Sequence, residues 1–322
     1  MIMITRVLRI LIFVGFISGM MPAVASHAFW VWTPETGKFI NPKNHVKATP
    51  QEQLEYAVGF YHENDCDQGV KEFEKLIKNY PRAREAADAQ FYIASCQEKE
   101  GALFKAYKEY QLVLDKYPFS DKAGEVVKKQ YDIGNAMLEG KDRKNKIIKT
   151  IIGGSYDVIE VFRTVIKNAP YGPYAPSAQY KIGLYLHEKG LYQEARDEFE
   201  KTINDYPESE WAKAAKYQIA LADSQRSSEA QYDQQVTKSA IEEFKEFAKE
   251  YPDAELSQKA KDEVNKLKEK EAENNFVVAQ FYEKQKKYQA ARLYYSSIVE
   301  NYKNTSWAPK ALEKLQALKF EK

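Results

Sequence analysis

Residues 179–207 read QYKIGLYLHEKGLYQEARDEFEKTINDYP. Counting back from Pro207, Ile203 lies four residues away, Phe199 eight and Ala195 twelve. Steps of four place these side chains on one face of a helix. The proline stops that helix, because it cannot extend the hydrogen-bond ladder. Twenty-five residues before Pro207 stands Ile182, followed by the small Gly183. Two helices approach closely only where one of them presents no bulk. The stretch therefore predicts two packed antiparallel helices ending at a Tyr-Pro stop.

The same spacing recurs outward along the chain. Tyr-Pro appears again at Tyr80-Pro81, Tyr117-Pro118 and Tyr251-Pro252, with Ala169-Pro170 as a variant. Twelve residues before these prolines stand Gly69, Ala106, Val158 and Ala240; eight before stand Phe73, Tyr110, Phe162 and Phe244. First-helix anchors followed by a small residue are Tyr56-Ala57, Ile93-Ala94, Ile133-Gly134, Ile219-Ala220 and Val278-Ala279. The last unit keeps Ala291, Tyr295 and Val299 but has Lys303 in place of the proline. Two units carry insertions between their helices, of 12 residues (Ile133 to Pro170) and 8 (Ile219 to Pro252). These units resemble the tetratricopeptide repeat, a helical hairpin of about 34 residues. The expected fold is all-α, a right-handed α-solenoid of about six such hairpins with a concave groove lined by the first helices. Units fall near 51–81, 85–118, 124–170, 174–207, 211–252 and 254–303, with a capping helix over 307–318. Lys- and Glu-rich residues 253–272 continue without a breaker into Phe276, predicting one helix of about 30 residues.

Composition agrees with packed helices. Of 322 residues 44% are hydrophobic and 30% charged, with 14 Gly and 23 Tyr. That apolar fraction excludes wholesale disorder. Forty-eight basic against 47 acidic residues, interleaved along the chain, give no nucleic-acid footprint. Two Cys and four scattered His exclude a zinc module. The chain has no phosphate loop, dinucleotide fingerprint, nucleophile elbow or His-Glu-x-x-His, so neither catalytic residues nor a cofactor or metal site is expected.

The first 25 residues have the layout of an export signal: Arg6 and Arg9, the apolar run Ile10 to Met21, then Ala23-Val24-Ala25. An uncleaved anchor is the alternative. Residues 26–50 form a separate segment with Trp30 and Trp32 around Val31, suggesting a short extended piece. Leaving two tryptophans and Phe29 in water is costly, so they are expected to cover the first repeats or a partner. Lys141, Arg143, Lys144 and Lys146 lie in the insertion of the third unit; they read as a solvated loop, or as a partner surface or anionic-lipid face. One more column, two residues before each first-helix anchor, reads Leu54, Phe91, Tyr131, Tyr180, Tyr217, Phe276. It fits internal packing or a ligand role. Tyr180 from this column and Tyr294 from the final hairpin complete the candidate partner-binding residues.

Cys66 occupies the start of a second helix and Cys96 a late position in the next first helix. In a stacked array these two helices run antiparallel, so the cysteines face one another. An exported chain meets an oxidising compartment, where a bridge between them is expected; two buried free thiols are the alternative.

The resemblance extends beyond the repeat columns. YDIGNAMLEG (131–140), then a long loop, then YDVIEVFRTVIKNAP (156–170) is similar to a repeat of the BamD family of outer-membrane protein assembly factors. YPDAELSQKAKDEVNKLKEKEAENNFVVAQFYEKQKKYQAARLYYSSIVENY (251–302) resembles that family's long helix and final repeat. The likeness spans residues 50–318 and implies a non-enzymatic periplasmic scaffold at the inner face of the outer membrane. Its implied partners are the barrel-inserting assembly subunit and unfolded barrel precursors. That family is anchored through an N-terminal cysteine, whereas the residues around Ala25 include none. Membrane attachment through partners is expected instead. The alternative is a periplasmic repeat adaptor of the Tol-Pal coordinator type.

Overall fold

The computed structural model describes residues 30–33, 37–40, 45–141, 157–229, 234–253 and 255–318. Among these, thirteen helices succeed a small hairpin of β1 (Val31–Thr33) and β2 (Lys38–Ile40). The helices pair in chain order: α1 (Pro50–His62) with α2 (Cys66–Asn79), α3 (Glu85–Lys99) with α4 (Leu103–Lys116), and α5 (Ala123–Leu138) with α6 (Asp157–Asn168). The next pairs are α7 (Ala175–Glu188) with α8 (Tyr192–Asp205) and α9 (Glu210–Glu229) with α10 (Gln234–Glu250). The series closes with α11 (Glu255–Lys284), α12 (Tyr288–Asn301) and α13 (Trp307–Ala317). The export segment, residues 1–25, lies outside the described residues.

Helix ends obey local chemistry. At α1 the Thr49 hydroxyl accepts from the Glu52 amide while the Glu52 carboxylate accepts from the Thr49 amide, and Pro50 fills the first helical position. Five first helices end on a residue with positive φ: Asn64, Gly101, Gly140, Gly190 and Lys286. The next residue's amide then reaches back five positions, as Leu191 does to the Leu186 carbonyl at 3.0 Å. This reversal folds each second helix back along the first.

The two columns read from the sequence meet inside the hairpins. Phe73, Tyr110, Phe162, Phe199, Phe244 and Tyr295 are each 0% exposed. Opposite them lie the buried Ala57, Ala94, Gly134, Gly183, Ala220 and Ala279. A Cβ at Gly183 would sit 2.5 Å from a ring carbon of Phe199, and one at Gly134 2.7 Å from Phe162. Glycine is required at these two positions for the helices to close on the ring. Polar ties reinforce the pairs. Gln53, Gln90 and Gln179 each donate across to a glutamate of the partner helix, Glu72 at 3.0 Å, Glu109 at 2.9 Å and Glu198 at 2.6 Å.

Each helix packs on the next, which is the arrangement of a solenoid. First helices also touch the following first helix, α1 with α3, α7 with α9, α9 with α11, and α11 with α13. These extra contacts put the first helices on the inner side of the curve. The insertion in the fifth unit lengthens α9 to 20 residues, against 14 in α7. The charged run continues through Phe276 to Lys284 as a single 30-residue helix, α11.

Candidate interaction surfaces

A candidate cleft lies between the final hairpin and α10. Gln234 and Lys238 of α10, Glu271 and Asn275 of α11, and Tyr294 of α12 border a cavity of about 530 Å³. Tyr294 is half-buried, stacked on Tyr282 with ring centroids 5.7 Å apart. Glu271 is buried and accepts a hydrogen bond from the Tyr302 hydroxyl at 3.0 Å. Burial pushes its carboxyl above the ordinary carboxylate range, more than that hydrogen bond and Lys238 lower it. Leu293 also lines this cleft and is exposed, giving it an apolar edge. The arrangement offers hydrogen-bonding side chains and an apolar rim, which suits a peptide or protein segment.

Tyr180 is placed differently. It is 7% exposed, and its ring lies 5.5 Å from that of Phe199 and 5.2 Å from that of Trp211. Burial raises its phenol, whose oxygen accepts from Gln218 at 3.3 Å. Its ring surface is thus occupied by the interior, and so are those of Phe91, Tyr217 and Phe276. Of the two readings of that column, packing accounts for these contacts.

Trp30 and Trp32 are 59% and 51% exposed. Trp32 pairs with Phe39 across the hairpin, and strand alternation sets Trp30 on the same face. The expected cover of Trp30 and Trp32 by the first repeats is not made: both are more than half exposed, as is Phe39, and Phe29 lies outside the described residues. Lys141 is exposed and paired with Glu139, whose carboxyl it holds below the ordinary range. Arg143, Lys144 and Lys146 lie outside the described residues.

Cys66 opens α2 and Cys96 lies in α3; their sulfurs are bonded, with Cα atoms 5.5 Å apart. In the chain-entropy picture a bridge spanning 30 residues stabilises by roughly 3–4 kcal/mol. Replacing both cysteines by serine is expected to lower the urea midpoint of the N-terminal units by a corresponding amount. Adding reductant to the natural chain should do the same. Unchanged denaturation in reductant would reject the bridge.

A charged cluster that no sequence pattern announces joins the fourth and fifth units. Arg196 of α8 donates to Asp223 of α9 at 2.8 Å and to Glu243 of α10 at 2.9 Å. Arg226 holds the other Asp223 oxygen at 3.0 Å. Burial raises the Glu243 carboxyl even with Arg196 beside it, and its Oε2 is buried without a hydrogen-bond partner. His187 is half-buried, its Nε2 likewise unpartnered, and burial lowers its imidazole. These groups sit at packing seams, and among the described residues no cluster of His, Cys, Asp and Glu could hold a metal ion.

Stacked hairpins with small-on-aromatic contacts define a tetratricopeptide-repeat protein, and residues 58–121 match the family model of that repeat. Residues 158–319, half of the chain, match the YfiO family, described as outer membrane lipoprotein; the chain belongs to that family. No curated protein matches the sequence. Similar solved structures include a tetratricopeptide repeat protein from Parabacteroides merdae, 14% identical, covering 84% of this chain and 98% of its own, with a TM-score of 0.35. Another is the C-terminal part of a repeat protein from Cytophaga hutchinsonii, 17% identical, covering 82% and 88%, with a TM-score of 0.38. The pilF protein of Pseudomonas aeruginosa is 13% identical, covering 82% and 97%, with a TM-score of 0.33. Among the described residues no helix is long and apolar enough to cross a membrane.

Proposed function

We propose that the protein is a non-enzymatic periplasmic scaffold that assists the assembly of outer-membrane β-barrel proteins, as BamD does. The observation that carries this reading is the YfiO match over residues 158–319, which includes α11 and the final hairpin. The export layout of residues 1–25 supports the compartment. The cleft around Glu271, Asn275 and Tyr294 is the surface assigned to the assembly partner, with Leu293 at its rim. Binding there would rest on burial of the apolar rim and on side-chain hydrogen bonds, without chemistry.

Affinity capture from detergent-solubilised envelopes tests the proposal. Recovery of the barrel-inserting subunit is expected, and Leu293→Glu with Tyr294→Ala should reduce it. Recovery of division-site proteins without that subunit would replace this reading with a Tol-Pal coordinator role.

A further inference from the structure

The residue after each helix-stopping position forms a column of its own: Arg82, Phe119, Tyr171, Glu208, Asp253 and Asn304. All six are exposed. They lie on the connectors between units, where every second helix ends and every first helix begins, so they line one edge of the solenoid. Two are large aromatics left wholly in solvent, Phe119 at 100% and Tyr171 at 98% exposure. Neither ring packs on its own unit, so folding does not account for them.

The surroundings hold more cations than anions: Arg82, Arg84 and Lys116 line a cleft of about 500 Å³ with the single carboxylate of Asp121, which Arg84 engages. Arg82 and Lys116 share it with Pro81, Pro118 and Phe119. Among the described residues neither cation has a hydrogen bond or ion pair, whereas the neighbouring Arg84 is engaged by Asp121 at 2.5 Å. Further along the same edge the column turns acidic, at Glu208 and Asp253. The exposed column is therefore basic or aromatic over units one to three, and acidic over units four and five.

The chain also enters the solenoid here. The Tyr80 hydroxyl donates to the carbonyls of Lys47 at 2.7 Å and Ala48 at 3.2 Å, fixing the segment before α1 against the first connector. Five residue steps lead from Ile40 to His45, a reach of no more than about 18 Å. The hairpin bearing Trp30, Trp32 and Phe39 is thus tethered to the same edge.

We infer that the connector edge of units one to three rests on an anionic phospholipid surface. Phe119 and Tyr171 enter the interfacial layer, and Arg82 and Lys116 take lipid phosphates. Aromatic rings favour the headgroup level of a bilayer, where an apolar face and a polar edge are both satisfied. Each surface cation adds attraction to anionic lipid. A protein partner would need a separate pocket for each of two rings on different connectors, whereas a bilayer accepts both at one depth. The acidic connectors of units four and five are repelled, which tilts the ribbon so that its N-terminal half lies closest to the lipid.

Flotation of the full chain with vesicles tests the inference: equal parts phosphatidylcholine and phosphatidylglycerol, against phosphatidylcholine alone. The Phe119→Ser/Tyr171→Ser variant should partition about tenfold more weakly. Arg82→Glu/Lys116→Glu should abolish the preference for phosphatidylglycerol while leaving helical content unchanged by circular dichroism. Residues 1–25 are common to all variants, so differences report on the edge. The inference fails if the serine variant floats like the natural chain, or if both vesicle types bind the natural chain equally. It also fails if the chain self-associates without lipid and the serine variant does not, which would make the edge a contact between copies. No assembly partner is involved, so capture of the barrel-inserting subunit can fail while this result stands, and conversely.

Discussion

Truncating Phe199 to alanine is expected to cost the fourth unit about 3–5 kcal/mol, the usual penalty for emptying an aromatic site in a closed core. The ring is fully buried, faces Gly183 and contacts Tyr180. The reverse error should also be costly: Gly183→Ala drives a methyl into the ring and should lose about 1–3 kcal/mol. Combining Gly183→Ala with Phe199→Leu, which clears the ring, should cost less than the sum of the two single changes. Urea denaturation monitored by circular dichroism measures each chain. Strict additivity would show that the glycine and the ring do not meet.

The second large effect concerns charge. Arg196→Ala is expected to destabilise the junction of units four and five by about 3 kcal/mol, because it strands the buried Asp223 and the half-buried Glu243. Asp223, whose side chain is 5% exposed, would keep only Arg226, and the half-buried Glu243 would lose its ion pair with Arg196. Adding Glu243→Gln should recover part of the loss by removing a charge that burial already disfavours. Hydrogen exchange would report the opening of α9 and α10 ahead of the other helices. A variant as stable as the natural chain, or a further loss on adding Glu243→Gln, would contradict this account.

The fold is legible in the sequence because its determinants are periodic. A small residue facing an aromatic, repeated at a constant distance from a proline, specifies close helix pairs without reference to anything distant. The left-handed turn residues at Asn64, Gly101, Gly190 and Lys286 obey the same spacing. They are hard to see as a column because Lys286 and Asn64 hide the glycine pattern. The insertion in the fifth unit looks like an interruption in the sequence, yet much of it becomes extra helix in α9, since residues there carry no breaker. Surfaces are harder to read. Tyr180 is visible as a member of an aromatic column, but a column cannot say which side of a helix faces its neighbour, and Trp211 covers it. Phe119 and Tyr171 carry a readable signal, the position after the proline, which gains meaning only once the connectors are seen to share an edge. The Arg196 cluster draws on three helices, and no spacing within one unit encodes it.

One helix belongs to two cores. The first half of α11 places Ala260, Val264 and Leu267 against the fifth unit, and its second half places Ala272, Phe276 and Ala279 in the sixth. At 30 residues it extends about 45 Å without a hinge. Elsewhere adjoining hairpins meet through a connector and can rock by sliding side chains. Here any change of angle would have to bend continuous hydrogen-bonded backbone. A load taken up by α12 is therefore delivered to α10 as by a stiff lever, and the ribbon yields first on the N-terminal side of this strut.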